Sequence, residues 1–180
     1  MAVMVSTRML TRDDLDALPD DGLRHELVDG TFVMTPAPGV PHQRFLLGLY
    51  RALHLAVAET DLEVLVAPLD VVLGPHVVEP DLIIAPRAAF SQRDLSTAPL
   101  LVVEVRSPST AWLDEGRKRS LYEESGVTQY WLADPVKPSL TVLTLVDGRY
   151  EQTALVQGEE VLTLHSPLHI TVRPSDLAGD

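Results

Sequence analysis

The segment Leu100-Leu101-Val102-Val103-Glu104-Val105 is an almost unbroken apolar run that carries one carboxylate. Such a run reads as a central strand buried on both faces. Pro99 introduces it, and Ser107-Pro108-Ser109-Thr110 ends it. The strand needs cover on both sides, and Glu104 needs a partner, because an ionised carboxylate in an apolar strand is costly unless paired, protonated or bound to a cation.

The rest of the chain supplies the cover. Asp29-Gly30 separates His25-Glu26-Leu27-Val28 from Thr31-Phe32-Val33-Met34, and Asp147-Gly148 separates Leu140–Val146 from Arg149–Val156. An Asp-Gly pair between two such runs is a strong hairpin signal. Phe45, Leu46, Leu49, Leu53, Ala56 and Val57 recur at helical spacing and predict a helix from His42 to about Glu59 over one face of a sheet. Thr11, with Asp13 and Asp14 behind it, reads as the cap of a short helix stopped by Pro19. Strands are expected at Glu63–Val66, Leu69–Leu73, Val77-Val78, Pro80–Ile84 and Thr128–Ala133, with short closing strands at Val161–Leu164 and Leu168–Val172. A helix capped by Thr110 is expected from about Trp112 to Glu124, ending at Gly126. This order predicts a single α/β (α+β) domain over residues 1–180: a mixed central β-sheet with flanking helices and antiparallel hairpins at both ends.

The chain has no cysteine, which excludes a disulfide framework, a thiol nucleophile and Cys-ligated metals. Twenty-six acids against fourteen bases leave a net charge of −12, so contact with a polyanion needs a local basic patch or bound cations. No charged n-region opens the chain and no apolar run of about 18 residues follows, so a soluble cytoplasmic protein is expected.

Glu26, Asp81 and Glu104 interrupt apolar strand context. Glu26 alone reads equally as a structural ion pair, and Asp81 alone as a residue capping the loop after Pro80. Should their strands be neighbours, Asp81 and Glu104 converge at one edge. Converging oxygen ligands without cysteine suit Mg²⁺ or Mn²⁺, the arrangement used to hydrolyse a phosphodiester.

The ordered set His25-Glu26-Leu27-Val28-Asp29-Gly30, His42-Gln43, Pro80-Asp81, Val103 to Thr110, Asp114, Lys118, Tyr122, Gly126-Val127 and Tyr130 to Pro135 resembles the PD-(D/E)XK nuclease superfamily. Within it, the set is similar to the putative restriction endonuclease family of bacterial proteins, over roughly residues 11 to 172. The resemblance implies a restriction-endonuclease-like core and a Mg²⁺- or Mn²⁺-dependent endonuclease acting on DNA. It further implies Asp81 and Glu104 as metal ligands, Glu26 as a third carboxylate and the Val105 carbonyl completing the set. The superfamily's lysine lies two residues after the second acid, where this chain has Arg106. Arginine stays protonated, so Arg106 can stabilise charge but is poorly suited to activate water. Lys118, spaced i, i+4 from Asp114, is the expected substitute, an ordinary surface ion pair being the competing reading.

Three further assignments concern substrate. Tyr122, one turn after Lys118, either hydrogen-bonds in the site or packs helix on sheet. His42 either faces the site or caps its own loop. Arg117, Lys118 and Arg119 form the one dense basic cluster, a candidate DNA contact. Trp131 is expected in the core, and His165 and His169 show no ligand spacing to one another. Open sheet edges predict a homodimer. A second functional reading is a catalytically inactive nuclease-fold module that binds or dimerises.

Overall fold

A computed structural model describes residues 2–4, 8–19, 21–107 and 114–179. In chain order the first half contains β1 (Ala2–Met4), α1 (Arg12–Asp16), β2 (Arg24–Val28), β3 (Thr31–Thr35), α2 (Val40–Ala56), β4 (Leu62–Val66), β5 (Asp70–Leu73), β6 (His76–Val78) and β7 (Leu82–Pro86). The second half contains β8 (Asp94–Leu95), β9 (Leu101–Val105), a π-helical turn (Asp114–Lys118), α3 (Arg119–Glu124), β10 (Gln129–Asp134), β11 (Ser139–Val146), β12 (Arg149–Gln157), β13 (Leu162–Leu164), β14 (Ile170–Val172) and α4 (Pro174–Ala178). The expected cap Thr110 and the start of its helix lie outside the described residues, as does the Asp114 side chain.

Both Asp-Gly pairs make two-residue hairpin turns. Asp29 (φ 51°), Gly30 (φ 65°), Asp147 (φ 49°) and Gly148 (φ 78°) are all left-handed, as a type I′ turn requires, and its twist matches that of the strands it joins. Thr11 caps α1 with a reciprocal capping box to Asp14.

The mixed sheet is there, in the order β12-β11-β10-β9-β7-β4, with β9 and β10 parallel and the other pairs antiparallel. It is not the sole sheet. A second six-stranded sheet, β1-β3-β2-β6-β5-β8, gathers the N-terminal hairpin and several short strands, and β13 and β14 pair separately. Every residue of β9 is buried. Leu101, Val103 and Val105 pack with Phe45, Leu49 and Leu53 of α2, whereas Val102 packs on the other face with Tyr122, Val78 and Leu95. The central sheet is thus covered by α2 on one side and by α3 and the second sheet on the other, which explains why the run from Leu100 to Val105 is apolar but for Glu104. Trp131 is fully buried, as expected. Among the described residues, no helix is long and apolar enough to cross a membrane.

Helix α4, which the sequence pattern does not announce, docks on α2 at Gly48. A Cβ at Gly48 would stand 2.7 Å from the Leu177 carbonyl oxygen and 3.0 Å from its Cα. Alanine usually stabilises a helix interior over glycine by about 1 kcal/mol. Here Gly48→Ala is expected to cost about 1–3 kcal/mol through overpacking, read as a lower urea midpoint at unchanged slope.

Candidate active site

Strands β7 and β9 run antiparallel with Leu82 opposite Val103 and Ile83 opposite Val102. One step further in that register, Asp81 and Glu104 face each other across the sheet, so the two acids converge as neighbouring strands would bring them. Asp81 is 3% and Glu104 2% exposed, and Glu26, from β2, is 1% exposed. All three line one cavity of about 190 Å³, with the Pro36–Gly39 loop as a wall.

Each carboxylate is met by donors of the protein itself. The Val105 amide donates to Asp81 Oδ2 at 2.8 Å. His42, near the start of α2, places Nε2 3.0 Å from the same oxygen, so of its two expected roles the His42 side chain takes the one facing the site. Arg24 donates from both terminal nitrogens to Asp81 Oδ1 at 3.1 Å, and one of them also reaches the Glu79 carbonyl. Lys118 Nζ lies between two acids, 2.8 Å from Glu26 Oε1 and 3.0 Å from Glu104 Oε1. The Tyr122 hydroxyl donates to Glu104 Oε1 at 2.8 Å. Lys118 and Tyr122 are four residues apart, so one helical face delivers both to a single oxygen. The Glu79 amide donates to Glu26 Oε1 at 2.7 Å, while Glu26 Oε2 is buried without a hydrogen-bond partner.

The electrostatics follow from burial and these contacts. Burial alone would raise the Asp81 carboxyl. The His42 hydrogen bond, the charges of His42 and Arg24 and the Val105 amide outweigh it, and Asp81 sits below the usual carboxylate range. Burial pushes the neighbouring Glu79 up to about 7 against the pull of Arg24. Burial, then the charges of Glu104 and Glu26, raise the Tyr122 hydroxyl well above its ordinary value, so it stays a donor.

Not every expected site residue arrives. Arg106 points to Asp134, with Nη1 3.8 Å from Oδ2, and lines a different cavity beside Arg119. Arg117 sits on the surface, bound through two nitrogens to the Asp29 carboxylate at the β2–β3 turn. Arg24 is the residue that sequence reading missed. Its signal was the period-two alternation of β2, which puts Arg24 on the same face as Glu26. A larger groove of about 620 Å³ between α2 and β14 holds none of these carboxylates.

Among the described residues, no three His, Asp or Glu side chains stand together at metal-ligand spacing. The donor set nonetheless fits a hard cation. The oxygens of Asp81, Glu104 and Glu26 are hard donors and one buried Glu26 oxygen has no hydrogen-bond partner, while Arg24 and Lys118 already offset part of their charge.

A family model described as "Uma2: Putative restriction endonuclease" matches residues 12–175. The crystal structure of a putative nuclease belonging to DUF820 from Anabaena variabilis ATCC 29413 matches with a TM-score of 0.75, covering 94% of this chain and 97% of that one. The two share 18% sequence identity, so the likeness is one of fold. No curated protein matches the chain.

Two outcomes test the charge balance. Lys118→Met leaves Glu26 and Glu104 buried without their shared ammonium and is expected to cost about 3–5 kcal/mol, whereas Tyr122→Phe removes one donor and costs about 1–3 kcal/mol. Because the folded Asp81 carboxyl is depressed, its stabilising contribution is complete above the unfolded value of about 4 and is lost as pH falls through the lower folded value. Urea midpoints measured between neutral and strongly acid pH should therefore fall less steeply for Asp81→Asn than for wild type.

Proposed function

This chain belongs to the Uma2 family, a family of restriction-endonuclease type, and from that membership we propose that it is a metal-dependent phosphodiester hydrolase acting on DNA. The observation that carries the proposal is the meeting of Asp81, Glu104 and Lys118 in one buried cavity, with the Lys118 ammonium 3.0 Å from Glu104. Asp81 and Glu104, with the Val105 carbonyl and Glu26, would hold Mg²⁺ or Mn²⁺. Such a cation, when bound, lowers the pKa of a coordinated water and offsets charge on the scissile phosphate.

The chain's own residues do the positioning. His42, Arg24 and the Val105 amide hold Asp81 ionised and fixed. Tyr122 fixes Glu104. Lys118, carried on the helix side of the cavity, orients the attacking water and donates to a phosphate oxygen, the role that Arg106 cannot fill from its place beside Asp134. Arg117 and Arg119, beside the π-helical turn, supply the local positive charge that a chain of net −12 needs to approach a polyanion. A homodimer formed through open strand edges would present two such sites, one for each strand of a duplex.

The second reading, an inactive module that keeps the fold, draws on Arg106 at the expected lysine position and on the carboxylates already met by protein cations. One experiment separates the two: plasmid cleavage with Mg²⁺ or Mn²⁺, alongside calorimetric Mn²⁺ titration. The nuclease reading expects metal binding that depends on Asp81 and cleavage reduced at least about 10²-fold in Asp81→Ala, Glu104→Ala and Lys118→Ala. Equal behaviour of wild type and Asp81→Ala in both assays leaves the inactive module.

A further inference from the structure

The hairpin formed by β13 and β14 brings together His165 and His169, which show no ligand spacing in the sequence. Its register pairs Leu162 with Val172, Thr163 with Thr171 and Leu164 with Ile170. The next rung sets His165 opposite His169, closed by the loop Ser166-Pro167-Leu168. Strand alternation then sorts the faces. Leu162, Ile170 and Val172 are buried in the core beneath α2, while Thr163, Thr171 and both histidines face solvent. Directly opposed residues bring their side chains together, and here the two Nδ1 atoms stand 3.0 Å apart with ring centroids at 4.9 Å.

At that separation one ring's Nδ1–H can donate to the other ring's Nδ1. A metal ion can take the proton's place. With metal–nitrogen bonds of about 2.1 Å, two ligands stand about 3 Å apart at an octahedral right angle and about 3.4 Å apart at a tetrahedral angle, close to the 3.0 Å of this rung. The loop is held as well: Gln129 Nε2 donates to the Ser166 carbonyl at 3.0 Å, and Gln129 Oε1 accepts from Trp131 Nε1 at 3.0 Å. The imidazoles are thus presented on a tether to the central sheet, which lowers the ordering cost of binding. Imidazole nitrogen selects zinc, copper or nickel over magnesium, so this rung differs in chemistry from the carboxylate-rich cluster around Asp81.

We propose that His165 and His169 form a two-histidine site for a divalent transition ion, with water completing its coordination, which clips the β13–β14 hairpin. The proposal does not rest on nuclease activity. It is tested by calorimetric titration of the full chain with ZnCl₂ and NiCl₂ in excess Mg²⁺, comparing wild type, His165→Ala, His169→Gln and Asp81→Ala. Losing either histidine breaks the chelate and is expected to weaken the binding event it carries about 10²-fold, while that event persists in Asp81→Ala. Zn²⁺ should also raise the melting temperature of wild type but of neither histidine variant. Both histidines are exposed, so metal-free melting curves matching wild type show that the variants fold. A zinc titration in which no binding event is weakened by either histidine substitution, or in which no event saturates in wild type, overturns the proposal.

Discussion

Lys118 stands between Glu26 and Glu104, and most of the molecule's organisation is a consequence of making that position tolerable. Three carboxylates at most 3% exposed would repel one another strongly in a medium that screens poorly. Three unrelated elements each send in a cation or donor to offset them. Strand β2 contributes Arg24, α2 contributes His42, and the π-helical turn with α3 contributes Lys118 and Tyr122. The two six-stranded sheets and the helix between them are therefore joined by charge as well as by apolar packing. Buried ion pairs of this kind are poor sources of net stability compared with hydrophobic groups of the same size. Their retention in a core that could have been filled with valine is consistent with a site kept for its chemistry.

What was legible in the sequence is what has a period or a punctuation mark. The run from Leu101 to Val105, the two Asp-Gly turns and the seventeen-residue helix over one sheet face all follow from spacing that only one element satisfies. The pairing of Asp81 with Glu104 was legible as a conditional, and the register of β7 on β9 met the condition. The second sheet was not legible as a sheet. Its strands β5, β6 and β8 are two to four residues long, too short for alternation to declare itself, and its assembly depends on long-range pairing. Arg24 was illegible for a different reason: the alternation of β2 puts it on the face of Glu26, but no spacing says that this face meets Asp81. The meeting of His165 and His169 needed a strand register, which no spacing of four can supply by itself.

The lysine's location has a consequence for how such chains are recognised. In the superfamily pattern the cation lies two residues after the second acid; here the ammonium that meets Glu104 belongs to Lys118, fourteen residues downstream. On the proposed reading position 106 is free of the reaction, and Arg106 faces Asp134 of the adjacent strand. Substitution at 106 should drift freely among relatives while 118 stays fixed. A search template that demands Lys after one intervening residue would discard this sequence, whereas one that asks which ammonium reaches the glutamate in space would keep it.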